Sequence, residues 1–219
     1  MGLGYATAKL LIEAGGKVAI TGRDKTRTET AAKELGAFAI TADVANPEDI
    51  KRTYQEFLKE FGKLDCLINN AGIGIFKKIE ECTLEDFESI YRINVYGAAL
   101  MAGEAAKLFK QQNSGNIINI ASTAGTKGFE SGSIYASSKF ALRGMTQCWQ
   151  AELRKHNVRV ILINPSEVTT AFNIETCEER PEVPNKLRGE EIAHAIKASL
   201  EMDDRGFIPE LTVWATNPF

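Results

Sequence analysis

Three side chains in this sequence have the types and spacing for proton transfer to an oxygen: Ser122, Tyr135 and Lys139. Tyr135 and Lys139 are four residues apart in IYASSKFAL, an Ala- and Ser-rich stretch that reads as helix, so one turn brings phenol and ammonium to the same face. An ammonium beside a phenol favours the phenolate and is expected to draw a pKa that starts at about 10 toward neutral pH. Tyr135 would then be a usable proton donor and acceptor. Ser122 stands thirteen residues earlier, at the end of the apolar run IINIAS, where its hydroxyl could hold a carbonyl oxygen beside the phenol. The spacing alone is a weak signal, because Tyr5 and Lys9 repeat it in what reads as an ordinary amphipathic helix.

The elements that must position these groups alternate along the chain. Apolar runs in KVAITGRD, FAITADV, LDCLINNAG, IINIAS, VRVILINP and GFIPELTVW read as strands. Between them helices are expected after Gly4 with a stop at Gly15 and Gly16, over 25–35 and 47–61, through Asn94 to Ala99, from near Tyr135 to His156, and over 190–202. That alternation predicts an α/β fold with a doubly wound parallel sheet, helices on both faces and one domain over 1–219. No linker, charge block or internal repeat divides it.

Composition excludes several classes. With 26 basic and 29 acidic residues the formal charge is −3, and no basic face suggests a nucleic-acid partner. No apolar run approaches the roughly 20 residues of a membrane span. Cys66, Cys82, Cys148 and Cys177 form no CxxC pair and read as reduced thiols, which fits a cytoplasmic protein. His156 and His194 are isolated, so no metal is expected.

Several loops carry polar or small residues where a strand ends. Gly2, Leu3 and Gly4 open the first helix and would let a pyrophosphate approach free N–H groups at its N-terminus. Asn69, Asn70, Ala71 and Gly72 combine amides with small residues and suit close approach to a ligand. Asp43 either meets a nucleotide or caps the helix ahead of Pro47, although Asn46-Pro47-Glu48-Asp49 is a good helix start in its own right. Asn94, in YRINVYG, needs partners on a packed helix: a bound water or neighbouring backbone. Thr83 and Asp86 have the spacing of a capping box with a short carboxylate. Ile75 and Phe76 either flank a substrate or anchor a loop. The polar stretch over 168–188, with Pro181 and Pro184, reads as a lid whose Phe172 and Ile174 could close over a substrate.

Taken together, Asn69-Asn70-Ala71-Gly72, Asn94, Ser122 and Tyr135-x-x-x-Lys139, in that order, resemble the classical branch of the short-chain dehydrogenase/reductase family. The resemblance covers essentially the whole chain. It implies a Rossmann-like fold and oxidoreductase chemistry: reduction of a ketone or aldehyde, or oxidation of the secondary alcohol, by hydride transfer with a nicotinamide nucleotide. A 3-oxoacyl reductase is one common role. It implies that Tyr135 is the acid/base, Ser122 steadies the substrate oxygen, Lys139 binds ribose hydroxyls and lowers the Tyr135 pKa, and Asn94 holds a relay water. Cofactor contacts are implied for Gly2, Leu3, Gly4, Asp43 with Val44, Asn70, Ala71, Gly72, Tyr135, Lys139, Pro165, Val168 and Thr169. The family position that reads the ribose is acidic in NAD-preferring relatives; here it is Gly22 followed by Arg23, so NADP(H) is expected over NAD(H), with Asp24 as an alternative ribose partner. Ser166 replaces the family's Gly after Pro165. A homodimer or homotetramer is implied. The Thr-Gly and the first strand that the family places before Gly2 have no counterpart, so an amino-terminally truncated form is the expectation, with a partner-dependent or inactive fragment, or a nucleotide-sensing module, as rival readings.

Overall fold

The computed structural model of the chain describes residues 2–170, 172 and 183–218. Among these, helices and strands alternate: α1 (Leu3–Glu13), β1 (Ala19–Gly22), α2 (Lys25–Leu35), β2 (Phe38–Thr41), α3 (Pro47–Phe61), β3 (Cys66–Asn69), α4 (Leu84–Tyr91), α5 (Ala98–Gln112), β4 (Gly115–Ile120), α6 (Ser133–Leu153), β5 (Val158–Pro165), α7 (Gly189–Leu200) and β6 (Glu210–Val213). Local chemistry sets many of these bounds. Asp24 accepts from the Arg27 N–H to start α2, and Asn46 accepts from the Glu48 N–H to start α3 with Pro47 in its first turn. Thr83 and Asp86 make both bonds of a capping box at α4. Gly36 and Gly62, at φ 70° and 74°, close α2 and α3 in the left-handed conformation.

All the strand pairs are parallel, as the alternation predicts, but their ladders form two pieces. β1 pairs with β2, and β3, β4, β5 and β6 pair in that order. Among the described residues no strand lies between β1 and β3, so each keeps one edge outside any ladder, and β1 is only half-buried. β4 and β5 are the centre. Their Ile117 and Val160 face one apolar cluster with Ile50, Tyr54 and Phe109 of α3 and α5, whereas Ile118 and Ile161 face another with Leu3, Ile192 and Ile196 of α1 and α7. This period-two split puts a helical layer on each face and exposes the carboxyl ends of the strands.

Candidate active site

The carboxyl end of β4 and the start of α6 carry the three side chains with which the sequence reading began. Ser122 follows β4 in extended backbone and caps the short turn Thr123–Gly125, its oxygen accepting the Ala124 N–H at 3.1 Å. That turn lies directly on α6: a Cβ added to Gly125 would stand 3.0 Å from the Lys139 carbonyl. The close approach brings Ser122 into hydrogen-bond contact with the Tyr135 hydroxyl. Since Ser122 already accepts a backbone N–H, its own proton is available to the phenol oxygen or to a substrate carbonyl. Lys139, one turn along, is buried and donates to the Ile120 carbonyl at 3.0 Å, with its nitrogen 5.7 Å from the Tyr135 ring centre.

The electrostatics differ from the expectation. Burial pushes the Tyr135 phenol above its ordinary value, and only the Ser122 hydrogen bond pulls it back. The Lys139 ammonium does not bring it down, because its proton-bearing end points at Ile120 and is itself desolvated, which lowers its pKa to about 8. Phe76 packs on the Tyr135 ring at 5.3 Å and Phe172 at 5.9 Å, and these rings keep water from the phenol. In the protein as it stands Tyr135 holds its proton at neutral pH.

Asn94 lies in a π-helical turn, Arg92–Gly97, inserted between α4 and α5. Its amide oxygen accepts the Ile73 N–H at 2.9 Å, and the nitrogen donates to the Ile73 carbonyl at 2.9 Å and to the Ser138 hydroxyl at 3.1 Å. This clamp ties the loop after β3 to α6 and leaves Gly72 against both Asn94 and the Lys139 nitrogen, 3.4 and 3.5 Å from where a Cβ would be. Asn69, read with its neighbours as a ligand contact, instead turns into the core, donating to Asn119 at 2.9 Å and to the Ala98 carbonyl at 3.2 Å.

A cleft of about 200 Å³ opens at the carboxyl ends of β1, β2 and β3, lined by Arg23, Asp43, Val44, Ala71 and Gly72 together with Ile93. Asp43 is not the cap of α3: it accepts the Ala45 N–H, while its own N–H goes to Asp49. Asp24 accepts the Arg27 N–H through one oxygen as the cap of α2, and Arg23 is exposed at the cleft. A Cβ at Gly22 would meet the Thr28 hydroxyl at 2.3 Å, so a larger residue there requires Thr28 to leave its hydrogen bond to the Asp24 carbonyl. Gly2 caps α1 with no side chain and with open space beside it, and Gly4 lies against Asn70, where an added Cβ would come 2.7 Å from the amide nitrogen. The uncapped N-terminus of α1, the glycines and Arg23 fit a dinucleotide phosphate group. Leu3 is the exception: its side chain packs into the core, leaving only its backbone to face a ligand.

Residues 1–181 match the family model for short chain dehydrogenases. The chain belongs to that family. An uncharacterised oxidoreductase of Staphylococcus aureus (strain USA300) is 33% identical over 215 residues, 97% of this chain and 92% of its relative. Among solved structures, an alcohol dehydrogenase from the archaeon Thermococcus sibiricus complexed with 5-hydroxy-NADP is 27% identical with a TM-score of 0.89, over 98% of this chain and 92% of that one. A 3-ketoacyl-(acyl-carrier-protein) reductase from Brucella melitensis complexed with NADH is 28% identical with a TM-score of 0.89, over 100% and 94%. The protein is accordingly an oxidoreductase acting on CH–OH groups with the Rossmann-type fold of its family.

At the far side of the site, Pro165 ends β5 buried, and Ser166 replaces the family's glycine with φ in the ordinary range, its N–H bonded to the Val213 carbonyl at 2.9 Å. Val168 bridges to Leu187, and the Thr169 N–H donates to the Leu187 carbonyl at 2.7 Å. The base of the expected 168–188 lid is thus pinned, while Ile174, Cys177, Arg180 and Pro181 lie outside the described residues. Among the described residues no group of three His, Cys, Asp or Glu is placed to hold a metal, and no helix is long and apolar enough to cross a membrane. Sequence reasoning missed Ser138, which holds Asn94, and Ile93, which lines the cleft. The signal for Ser138 was its place one residue before Lys139 on the buried side of α6.

Proposed function

We propose that this protein reduces a ketone or aldehyde to the alcohol with NADPH, using Tyr135 as general acid. The observation that carries the reading is the Tyr135 phenol with the Ser122 hydroxyl against it and Lys139 one helical turn along. The α1 N-terminus and the Arg23 cleft would hold NADPH, which when bound would supply the hydride for the carbonyl carbon. Tyr135 gives its proton to the oxygen as charge develops there, and Ser122 donates a second hydrogen bond to the same oxygen. Lys139, with its pKa lowered to about 8, exchanges a proton close to neutral pH and offers its remaining donors to ribose hydroxyls beside Gly72. Asn94 positions this machinery by holding Ile73 and Ser138. Asp43, Val44, Asn70 and Ala71 would line the nucleotide, and Pro165, Val168 and Thr169 would border its nicotinamide.

The preference for NADP(H) over NAD(H) rests on Arg23 exposed at the cleft and on Gly22, which offers no carboxylate to the ribose. Segment 168–188 covers the substrate within a single domain of 1–219. Exposed Tyr96, Leu100 and Phe140 on α5, α6 and the turn before them suit a homodimer or homotetramer, and unpaired cysteines suit the cytoplasm. The test follows NADPH oxidation by the purified chain over a panel of ketones, aldehydes and 3-oxoacyl thioesters. Tyr135→Phe is expected to lose about 10²- to 10⁴-fold in turnover while keeping NADPH-dependent thermal stabilisation. Undiminished turnover in that variant would remove Tyr135 from its role.

A further inference from the structure

Phe76, Phe129 and Phe172 leave 47%, 49% and 37% of their surface exposed, although each sits within a ring's reach of the acid/base tyrosine or of its neighbour. The rings form a chain: Phe129 to Phe76 at 6.1 Å, Phe76 to Tyr135 at 5.3 Å, and Tyr135 to Phe172 at 5.9 Å, all tilted by 44° to 59°. Exposed aromatic surface gathered around the acid/base tyrosine is not core packing; it is surface that an apolar ligand can cover.

The groove is built in advance of any ligand. The Lys77 N–H donates to the Ser131 carbonyl at 3.0 Å, joining the loop that carries Phe76 to the loop that carries Phe129. Ser131 itself takes φ 60°, a left-handed conformation that a non-glycine residue holds only where its surroundings enforce it. Beside it, Gly132 leaves space for the Phe129 ring: a Cβ there would come 2.7 Å from the ring's tip. The Lys77 ammonium, next in sequence to Phe76, is drawn off to both oxygens of Asp86, at 2.9 and 2.7 Å, while Lys139 donates to the Ile120 carbonyl beneath the Tyr135 ring. A carboxylate or phosphate pressed against Phe76 would lose water without gaining Lys77 as its partner.

We infer that the substrate presents its carbonyl next to a flat, uncharged ring, an aryl or ring-conjugated ketone, which stacks on Phe76 and Phe129 while its oxygen meets Tyr135 and Ser122. This deepens the proposed reduction and rests on it. Tilted and offset ring contacts favour an aromatic partner over a saturated one of equal size by about 0.5–1.5 kcal/mol, or about two- to tenfold in affinity. Saturated rings fill the same space without that quadrupole match.

The experiment compares phenyl methyl ketone with cyclohexyl methyl ketone on the purified chain with NADPH, by kcat/KM and, separately, by ligand-induced thermal stabilisation of the NADPH complex. An aryl preference of about two- to tenfold that falls to about one in Phe76→Leu, and in Phe129→Leu as the independent second variant, supports the inference. NADPH-dependent stabilisation of each variant checks that it is folded. Equal turnover of the two ketones by the unmodified protein, or a preference untouched by both substitutions, overturns the aromatic groove and leaves the reduction standing. Preferential binding of the aryl ketone with no turnover of either compound supports the groove and overturns the proposed reaction. Neither binding nor turnover overturns both.

Discussion

Replacing Lys139 with Met should alter how the stability of this protein depends on pH, by an amount set by burial. The Lys139 ammonium is fully buried, and desolvation brings its pKa from 10.5 to about 8. In the unfolded chain the same group titrates near its ordinary value. Below pH 8 both states carry the proton, and the folded state bears the whole burden of a buried cation. Between pH 8 and 10.5 the unfolded chain binds more protons than the folded one, so this group makes stability rise with pH across that window. At about 1.4 kcal/mol per pH unit, the burden at neutral pH is about 3 kcal/mol. Met keeps the unbranched length and removes the charge. It also leaves the Ile120 carbonyl without its Lys139 donor, a loss of about 1–3 kcal/mol that does not vary with pH. The stability of Lys139→Met relative to the unmodified chain should therefore fall by about 3 kcal/mol between pH 7 and 10.5, whatever its offset. Urea unfolding of both proteins, followed by circular dichroism at intervals through that range, measures the difference, because every other titrating group is shared. A difference that stays flat with pH would refute the buried-ammonium reasoning.

Asn94→Ala should destabilise the protein by about 1–3 kcal/mol, since it removes the partner of both backbone groups of Ile73; denaturant midpoints measure it, and a neutral substitution would mean that water replaces the amide at no loss. Arg23→Glu should weaken NADPH relative to NADH by about tenfold or more, read as the ratio of dissociation constants from fluorescence titration, and an unchanged ratio would exclude Arg23 as the phosphate reader. Gly22→Asp should fail as a simple switch to NADH, because its Cβ would meet the Thr28 hydroxyl at 2.3 Å; a lowered melting temperature is the expected outcome, and a stable, NADH-selective variant would contradict the packing argument.

The geometry explains why a fold of this kind places reactive groups where it does. Parallel strands deliver their carboxyl ends to one rim, and helix N-termini arrive at the same rim, so Ser122, the loop after β3 and the start of α1 meet there without any long loop. The π-helical turn at Arg92–Gly97 then aims Asn94 across at Ile73 and Ser138, a connection between elements that share no ladder.

What the sequence by itself determined is whatever depends on near neighbours. Tyr135 and Lys139 share a face because helical periodicity puts them there, Asn46 and Thr83 start helices because their side chains reach N–H groups two or three residues on, and the apolar runs are strands because alternate residues must face two helical layers. The tertiary structure decided the rest, because it depends on contacts that no spacing encodes. The direction of the Tyr135 shift turned on which rings buried the phenol and on Lys139 pointing at a carbonyl nineteen residues away in sequence. Asn94 looked open to a water until Ile73, twenty-one residues earlier, proved to hold its amide. Asp43 read equally as nucleotide contact or helix cap until packing left it in the cleft, and Asp24, read as an alternative ribose partner, proved to cap α2. The division of the sheet between β1 and β3 likewise belongs to the assembled molecule, since a strand edge is paired or unpaired only by what lies beside it in space.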